Sequence, residues 1–264
     1  LAGHLLGAYC LSEPHSGSDA AALSTRAERT DGGYRLSGTK AWITHGGVAD
    51  VYNVMARTAD TGARGISCFV VPAGTHGLSF AAPEKKMGFR GSPTTQVFLD
   101  DVEVGEQARV GSEGAGFGIA MSALDSGRLG IAAVAVGIAQ AALDEAVEYA
   151  KGRTAFGRPV VDFQGLQFEL ADMAAGIAAA RALYLDAARR RDRGEPFSIE
   201  AAMAKLVATD TAMAVTTGAV GVLGGNGYVT DYPVERYLRE AKVLQIVEGT
   251  NQIQRLVIGR ALRS

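Results

Sequence analysis

The first part of the chain shows short apolar runs separated by turn residues. Asp31-Gly32-Gly33 lies between two extended runs, a composition typical of a β-hairpin. Residues 34–37 alternate apolar and polar positions, whereas residues 51–56 and 66–72 suit more deeply buried strands, and residues 96–102 close the series. Because turns separate these runs and no helical pattern interrupts them, we expect an antiparallel β-barrel or sandwich.

From about residue 114 the apolar positions repeat at the three- and four-residue spacing of an α-helix. The clearest stripe contains Leu166, Leu170, Met173, Ile177, Ala180 and Tyr184. Ile131, Val134 and Ile138 form a similar stripe in the preceding helix. The pattern predicts an α+β chain, with a β-domain at residues 1–108 followed by an α-helical bundle at residues 109–264.

The sequence also contains residues that end and begin helices. Residues 192–196 (DRGEP) end the second helix, and Ser198 is placed to cap a third helix that runs to about Leu223. A glycine-rich loop at residues 224–227 follows, and two shorter helices come after it.

Composition narrows the function classes. The chain has 264 residues, of which 47% are apolar, enough for a sizeable core. Its net charge is −2, and its one basic cluster, residues 189–193, suits a solvated helix end, so no nucleic-acid surface is predicted. Cys10, Cys68 and four histidines lack metal-ligand spacing, so no metal site is predicted. No apolar run approaches about 20 residues and no signal peptide is visible, so we expect a soluble, intracellular protein without a membrane span.

Residues 248–260 carry the most informative pattern. Glu248 stands directly before Gly249 and Thr250, and an amphipathic run with two arginines follows. Alone, this pattern predicts a helix start, with Thr250 as the N-cap and Gly249 allowing the bend. Three further stretches lie upstream: YCLSEPHSGSD at residues 9–19, AWIT at 41–44, and RTAFG at 153–157 followed by Gln164. In this order and at these separations, the four stretches resemble the flavin-dependent acyl-CoA dehydrogenase family.

The resemblance covers essentially the whole chain and has several implications. It implies an N-terminal helical domain of roughly 100 residues before Leu1, a size typical of one domain. It also implies FAD as the cofactor, held partly by a neighbouring subunit in a homotetramer built as a dimer of dimers. The residues at FAD-contacting positions of the family are Tyr9, Leu11, Ser12, Gly17, Ser18, Trp42, Ile43, Thr44, Arg153, Phe156, Gln164, Gly221, Leu223, Gly224, Gly225, Thr250 and Gln252.

Considered alone, these stretches leave two interpretations open. Short side chains and bare N–H groups between Ser12 and Ser18 suit a pyrophosphate cradle, but they also suit an ordinary turn. Trp42 is either a core anchor or, as in the family, an aromatic wall against the flavin ring, with Thr44 bonded toward that ring. Arg153 is either a surface arginine or a ligand of the FAD diphosphate.

The resemblance assigns catalysis to Glu248. Some members carry the base at the position of Gly127, which has no side chain here, so Glu248 is the only carboxylate at either base position. With a pKa raised by desolvation, it would remove the α-proton of an acyl-CoA thioester as the β-hydride passes to the flavin, giving a trans-2-enoyl-CoA. Family positions that contact the substrate hold Ser18, Thr58, Asp125, Arg128, Gly249 and Arg260. Asp125 and Arg128 also lie in a helical stripe, where solvent-facing polarity is the alternative.

Finer expectations concern substrate and partner. Residues 124–132 and 162–167 are most similar to short-chain and short-branched-chain members, which implies acyl groups of about four to six carbons. An electron-transfer flavoprotein would receive the electrons during fatty acid β-oxidation. Gly221 replaces the glutamine of many members and leaves its side-chain contact in doubt. The location would be cytoplasmic in a bacterium, or the mitochondrial matrix in a eukaryote.

Two alternatives to a dehydrogenase stay open. One is an acyl-CoA oxidase-like enzyme that reacts with oxygen, and the other is a flavin-binding scaffold that has lost dehydrogenation. Retention of Glu248 argues against the scaffold.

Overall fold

The computed structural model describes residues 3–263. Contacts divide the chain into two compact units with the boundary after Ala123. We call the first the β-unit and the second the helical unit. The predicted domain boundary after residue 108 lies 15 residues before this division of the contacts, and it stays a prediction.

The β-unit contains eight strands. They are β1 (Gly7–Cys10), β2 (Arg26–Thr30), β3 (Gly33–Thr44), β4 (Val51–Arg57), β5 (Ile66–Pro72), β6 (Leu78–Phe80), β7 (Thr94–Gly105) and β8 (Arg109–Val110). They form one sheet in the order β6-β7-β3-β2-β4-β5-β8, with β1 paired to β4. Short 3₁₀ turns lie at Ala20–Ala22, Gly62–Gly65 and Glu106–Ala108.

This sheet corrects the predicted architecture in one respect. The pairing of β1 with β4 is parallel, and so is the bridge between Arg26 and Arg57, whereas the other pairings are antiparallel. The terminal strands of the path, β6 and β8, do not pair with each other within residues 3–263, so the sheet is mixed and not a closed antiparallel barrel. Short apolar runs predict strands but not strand direction, since parallel and antiparallel neighbours bury the same side chains.

The predicted hairpin is confirmed. β2 ends at Thr30 and β3 begins at Gly33, and these two residues pair across the Asp31-Gly32 turn. Tyr34 and Leu36 point into the core, as their alternation predicts. The core is completed by β4, β5 and β7, and the rings of Tyr34 and Phe69 contact edge to face at 4.9 Å between centroids.

Helices dominate the second unit. They are α1 (Gly116–Gly152), which begins in the β-unit, α2 (Gln164–Asp192), α3 (Ser198–Leu223), α4 (Gly225–Tyr228), α5 (Val234–Leu244) and α6 (Asn251–Ala261). A small hairpin of β9 (Thr154–Ala155) and β10 (Arg158–Pro159), with a 3₁₀ turn at Val160–Asp162, connects α1 to α2. The helix α3 packs against α2, α4, α5 and α6.

The helical prediction is confirmed in outline and corrected in detail. The α2 stripe buries Leu170, Met173, Ile177 and Ala180, and α2 ends at Asp192 as predicted. The stripe proposed for α1 is wrong, because Val134 is exposed and alanines line the buried face. Ser198 does not cap α3, since its hydroxyl donates to Asp125 at 2.9 Å. Residues 225–228 form a single helical turn and not a loop.

Within residues 3–263, two helices are long and apolar enough to cross a membrane, by length and composition alone. These are α1 and α3, whose most apolar 18-residue windows have a mean hydropathy of 1.5. Core helices of soluble proteins pass the same test, and α3 buries Lys205, Thr209 and Thr216 with their polar groups hydrogen-bonded. The expectation that no apolar segment approaches the required length was therefore too strict.

Candidate active site

Glu248, the predicted base, lies in a tight turn between α5 and α6. Glu248 and Gly249 both have a left-handed backbone, with φ of 55° and 85°. A residue with a Cβ pays about 1–2 kcal/mol for this conformation, so the turn needs support from its surroundings. Thr250 caps α6 by accepting a hydrogen bond from the Ile253 N–H at 3.3 Å, which confirms the predicted helix start.

Two buried side chains donate to the main chain of this turn. Gln254 Nε2 lies 2.8 Å from the Gly249 carbonyl oxygen and 3.3 Å from that of Glu248. Lys205 Nζ, from α3, lies 3.0 Å from the same Gly249 oxygen and 2.8 Å from Asn251 Oδ1. The turn is therefore held from inside the helical unit, while the Glu248 N–H has no acceptor within residues 3–263.

The Glu248 carboxylate lies against α1. A Cβ added to Gly127 would come 2.6 Å from Glu248 Oε2, so the carboxylate fills the space that another residue would occupy at 127. Within residues 3–263 no donor hydrogen-bonds to this carboxylate. Burial raises the pKa of Glu248 above its ordinary value, and the positive charges of Arg128 and Lys205 oppose that rise. A carboxylate with a raised pKa and free lone pairs is suited to accept a proton.

Arg128 and Asp125 are paired on α1. Arg128 Nη1 lies 2.6 Å from Asp125 Oδ1, which also accepts from the Ser198 hydroxyl. Arg128 is 5% exposed, so the solvent-facing alternative is wrong for this residue. Its Nε has no hydrogen-bond partner in the described part of the chain. The unpaired Nε is itself buried, and the charge of the guanidinium acts on Glu248.

In the β-unit, Glu13 anchors the predicted pyrophosphate segment. Glu13 is fully buried and accepts from the N–H groups of Ser24 and Thr25 at 2.7 and 2.9 Å. Lys40, equally buried, contacts it at 2.8 Å and also donates to the Leu11 carbonyl. Burial opposes the charge on Glu13, but Lys40 and the main-chain donors hold its pKa at about 2. This ion pair fixes the inner side of the segment.

The outer side of the same segment offers donors. The N–H groups of Ser12, Gly17 and Ser18 have no acceptor within residues 3–263. The Ser16 hydroxyl, in contrast, donates to the Asp19 carbonyl at 2.7 Å and is used within the turn. Free N–H groups and short hydroxyl side chains match the chemistry that a diphosphate requires.

Trp42 lies in a β-bulge of β3. The register between β3 and β7 shifts between Lys40 and Ile43, and Trp42 has φ of 60°. Its neighbours Ala41 and Ile43 are buried, but Trp42 itself is 65% exposed. The core-anchor interpretation is therefore wrong. Bulges and left-handed non-glycine residues concentrate at functional sites, and this one turns a flat apolar ring outward, beside the exposed Thr44.

In the β-unit, three residues predicted to contact a cofactor or substrate have side chains that the fold itself binds or buries. The Tyr9 hydroxyl donates to the Ala120 carbonyl at 3.3 Å. The Thr58 hydroxyl lies 2.9 Å from the Ser67 hydroxyl and 3.3 Å from the Gly65 carbonyl. Leu11 is buried, so only its main chain is available to a ligand.

The hairpin between α1 and α2 presents an aromatic ring. Phe156 and Gly157 form its tip, with φ of 51° and 82°. Phe156 is 96% exposed, and Arg153 and Gln164 on either side of the hairpin are exposed as well. The described residues therefore leave Phe156 uncovered at the tip of this hairpin.

The remaining candidates lie at helix ends. Gly221, Gly224 and Gly225 are exposed, whereas Leu223 is buried. A Cβ at Gly221 would meet nothing within 4 Å, so steric conflict at that atom is not what requires glycine here. Gln252 and Arg260 are exposed on α6.

Two family models match the chain. "Acyl-CoA dehydrogenase, middle domain" matches residues 8–102, and "Acyl-CoA dehydrogenase, C-terminal domain" matches residues 114–263. The chain belongs to the acyl-CoA dehydrogenase family. Members are FAD-dependent oxidoreductases, so the predicted enzyme class and cofactor are confirmed.

Curated relatives agree with this membership. The chain is 52% identical to an acyl-CoA dehydrogenase of Bacillus subtilis, over 98% of this chain and 69% of that protein. It is 49% identical to a short-chain specific acyl-CoA dehydrogenase of Megasphaera elsdenii, over 98% and 68%. It is 48% identical to the mitochondrial short-chain specific acyl-CoA dehydrogenase of Mus musculus, over 99% and 64%.

Solved structures share the fold closely. Butyryl-CoA dehydrogenase from Megasphaera elsdenii superposes with a TM-score of 0.97 at 48% identity, over 98% of this chain and 68% of that chain. A chain in a structure described as the electron transferring flavoprotein of Acidaminococcus fermentans also gives 0.97, at 49% identity over 98% and 69%. A structure described as PigA with FAD and proline gives 0.96, at 30% identity over 98% and 68%.

The residues present fit FAD. The outward indole of Trp42 suits the flat isoalloxazine, and the free N–H groups of Ser12, Gly17 and Ser18 suit phosphate oxygens. In the helical unit, Arg153 is exposed beside the hairpin, and its fork of donors has the chemistry that a diphosphate requires.

Four buried residues support these segments through contacts that no short motif predicts, although Glu13 and Gln254 lie within the stretches that resemble the family. Lys205 lies within a long apolar helix, and Gln254 is polar at a position where the amphipathic run predicts either face. Lys40 and Glu13 lie 27 positions apart and pair only through the fold. One signal was available, since a lysine amid an alanine-rich helical stripe must find a partner when the helix is buried.

Proposed function

We propose that Glu248 is the base that removes the α-proton of a short or short-branched acyl-CoA during its conversion to a trans-2-enoyl-CoA. The supporting observation is the Glu248 carboxylate itself, which lies over Gly127 without a donor and has a raised pKa. An α-proton of a thioester is weakly acidic, so a base of higher pKa brings donor and acceptor closer in basicity. Bound FAD supplies the acceptor for the β-hydride.

The same turn supplies a second group. Because the Glu248 N–H has no acceptor within residues 3–263, it is free to donate to the thioester carbonyl of a bound substrate. A donor at this oxygen stabilises the enolate-like charge that develops as the proton leaves. Arg128, held by its pairing with Asp125, would bind a polar group of the same substrate through its guanidinium.

The short acyl length is supported by relatives. The Megasphaera elsdenii and mouse proteins are named short-chain specific, and the Megasphaera elsdenii structure is a butyryl-CoA dehydrogenase. An apolar pocket gains roughly 0.8 kcal/mol per buried methylene until its floor is reached. We therefore expect kcat/KM to peak at about four to six carbons and to fall for longer chains.

The electron acceptor, the oligomeric state and the location are proposed from the relatives and from the exposed residues. An electron-transfer flavoprotein is the proposed electron acceptor, supported by the Acidaminococcus fermentans neighbour. A dimer of dimers is the proposed assembly, supported by Phe156, Arg153 and Gln164, which the chain leaves exposed. We place the enzyme in the cytoplasm of a bacterium or in the mitochondrial matrix of a eukaryote, in line with its bacterial and mitochondrial relatives.

Anaerobic titration of the flavin-loaded protein with butyryl-CoA tests this function. A dehydrogenase loses its flavin absorbance on titration and recovers slowly in air, and recovery on adding an electron-transfer flavoprotein identifies the acceptor. Fast recovery in air would support an oxidase, and no bleaching with any acyl-CoA would support a scaffold. Repeating the titration from butyryl to dodecanoyl thioesters, with 2-methylbutyryl-CoA as the branched case, defines the acyl length. A preference for the dodecanoyl thioester would overturn the short-chain assignment alone.

A further inference from the structure

The turn that carries Glu248 is held at one main-chain oxygen. Lys205 Nζ and Gln254 Nε2 both donate to the Gly249 carbonyl, at 3.0 and 2.8 Å. Both side chains are fully buried, and they come from different helices, α3 and α6. We call Lys205 and Gln254 the carbonyl clamp.

We propose that the carbonyl clamp consists of positioning residues for the catalytic base, which hold Glu248 in the left-handed conformation that places its carboxylate over Gly127. This inference rests on the proposed role of Glu248. The geometry supports it because Glu248 and Gly249 have φ of 55° and 85°, and this turn conformation is unfavourable for a residue with a Cβ. Without donors on the Gly249 carbonyl, the chain can relax toward right-handed conformations that move the carboxylate.

Lys205 is an unusual choice for a purely structural hydrogen bond. A buried ammonium normally contacts a carboxylate, as Lys40 does, whereas Lys205 donates to two neutral carbonyl groups. Burial lowers the pKa of Lys205 to about 8, and Asp210 and Glu248 act against that shift. A neutral donor such as Gln254 would hold the Gly249 oxygen without the cost of burying a charge. The charge of Lys205 must therefore have a separate effect.

That effect falls on the base. The charged groups that act on Glu248 and Lys205 are Arg128 from α1, Asp210 from α3 and each other. Asp210 is itself contacted by Arg255 of α6 at 2.9 Å, which offsets its charge. Lys205 and Arg128 lower the pKa of Glu248 against burial, so Lys205 helps to keep the base ionised while it holds the turn.

Three variants of the flavin-loaded protein test the clamp. Lys205→Met and Gln254→Met each remove one donor to the Gly249 carbonyl and keep an unbranched side chain. Thr209→Val is the matched control, because Thr209 bonds to Asn251 and the Lys205 carbonyl in the same buried network but not to the turn carbonyls. Single-turnover flavin reduction by saturating butyryl-CoA is followed across pH, and amide hydrogen exchange is followed at Asn251, whose N–H bonds to the Gln245 carbonyl at 3.0 Å.

We expect both clamp variants to slow flavin reduction at least about 10-fold at unchanged FAD content, since small misplacements of a base are costly. Exchange at Asn251 should be faster in both clamp variants than in Thr209→Val, which alters the contacts of the Asn251 side chain but removes no donor to the turn. Only Lys205→Met should move the acid limb of the rate profile, upward by at least about half a pH unit, because it alone removes a charge.

Wild-type rates in both clamp variants would overturn the inference. If Lys205→Met does not fold, Gln254→Met decides, and a rate and exchange equal to those of Thr209→Val would overturn the clamp. Glu248→Gln separates the two hypotheses. If it stays active, the proposed function fails; if it is inactive while the clamp variants behave as wild type, only the clamp fails.

Discussion

Two buried glutamates, one in each unit, have opposite electrostatic surroundings. Glu13 in the β-unit accepts from two main-chain N–H groups and contacts Lys40, and its pKa falls to about 2. Glu248 in the helical unit has no donor within residues 3–263, and burial raises its pKa. Burial acts in the same direction on both carboxylates, so their donors decide the outcome. A saturated carboxylate holds a fold together, whereas an unsatisfied one is available for proton transfer.

The two buried lysines repeat the contrast. Lys40 contacts Glu13 at 2.8 Å, so each charge neutralises the other. Lys205 contacts carbonyl oxygens, and its charge is left to act on Glu248 and Asp210. The buried charges of the β-unit therefore neutralise each other within the segment proposed to bind the diphosphate, whereas in the helical unit the Lys205 charge acts on the proposed base.

The largest expected effect comes from removing the unsatisfied carboxylate. Glu248→Gln keeps the size of the side chain but removes the proton acceptor, so flavin reduction by butyryl-CoA should slow by at least roughly 10³-fold, about 4 kcal/mol in the barrier. FAD content should not change. Stopped-flow absorbance measures the rate, and Glu148→Gln, which alters an exposed carboxylate on α1, is the control. A variant that keeps a tenth of the wild-type rate would contradict the assignment.

Breaking the saturated pair should affect stability instead of chemistry. Lys40→Met leaves Glu13 buried without its cation, which should cost about 3 kcal/mol in the free energy of unfolding. Urea unfolding measures the loss, and the rate of flavin reduction per bound FAD should change little. Lys151→Met, which removes an exposed partner of Glu148, should show no measurable loss. Equal losses of unfolding free energy in the two variants would show that the buried pair stabilises the fold no more than the exposed one.

A smaller effect is expected where Glu248 meets α1. Gly127→Ala adds a Cβ that would lie 2.6 Å from Glu248 Oε2, so the carboxylate must shift. We expect flavin reduction to slow about 10-fold without loss of FAD, because a misplaced base reacts more slowly. Gly130→Ala on the same helix meets nothing within 4 Å and should keep the wild-type rate. Equal rates in the two variants would show that the space above Gly127 is not needed.

Much of the fold could be predicted from the sequence, but the different surroundings of Glu13 and Glu248 could not. Alternation and turn residues place the hairpin at Asp31-Gly32, and helical spacing places the α2 core, since both patterns are local. The parallel pairing of β1 with β4 is non-local and left no trace in either segment. The α1 face was misassigned at Val134, because the helix buries alanines that weigh little in a hydrophobic pattern.

The candidate site divides in the same way. Glu248, Trp42 and Arg128 lie in stretches that resemble the family, so their positions were available from the sequence. Whether each is buried or exposed was not, since a bulge turns Trp42 outward and the fold packs Arg128 inward. The partners of Lys205 and Glu13 depend on contacts between segments far apart in the chain.

The smallest expected effect is a difference in the sign of pH dependence. The folded-state pKa of Glu13 lies below its ordinary value, so its contribution to stability is present above about pH 4.5 and is lost as pH falls toward about 2. The folded-state pKa of Glu248 is raised, so its contribution is present below about pH 4.5 and is lost as pH rises through the raised value.

Urea unfolding of the wild type, Glu13→Gln and Glu248→Gln at several pH values measures both signs. On acidification from about pH 5 to 3, the wild type should lose stability relative to Glu13→Gln, because it must protonate a carboxylate that the fold holds ionised. On a rise from about pH 5 to 8, it should lose stability relative to Glu248→Gln, because ionising a buried carboxylate without donors opposes folding. Glu148→Gln should show neither trend, since that carboxylate is exposed in the fold. Two trends of the same sign would mean that the two glutamates have similar surroundings, and the contrast between the units would fail.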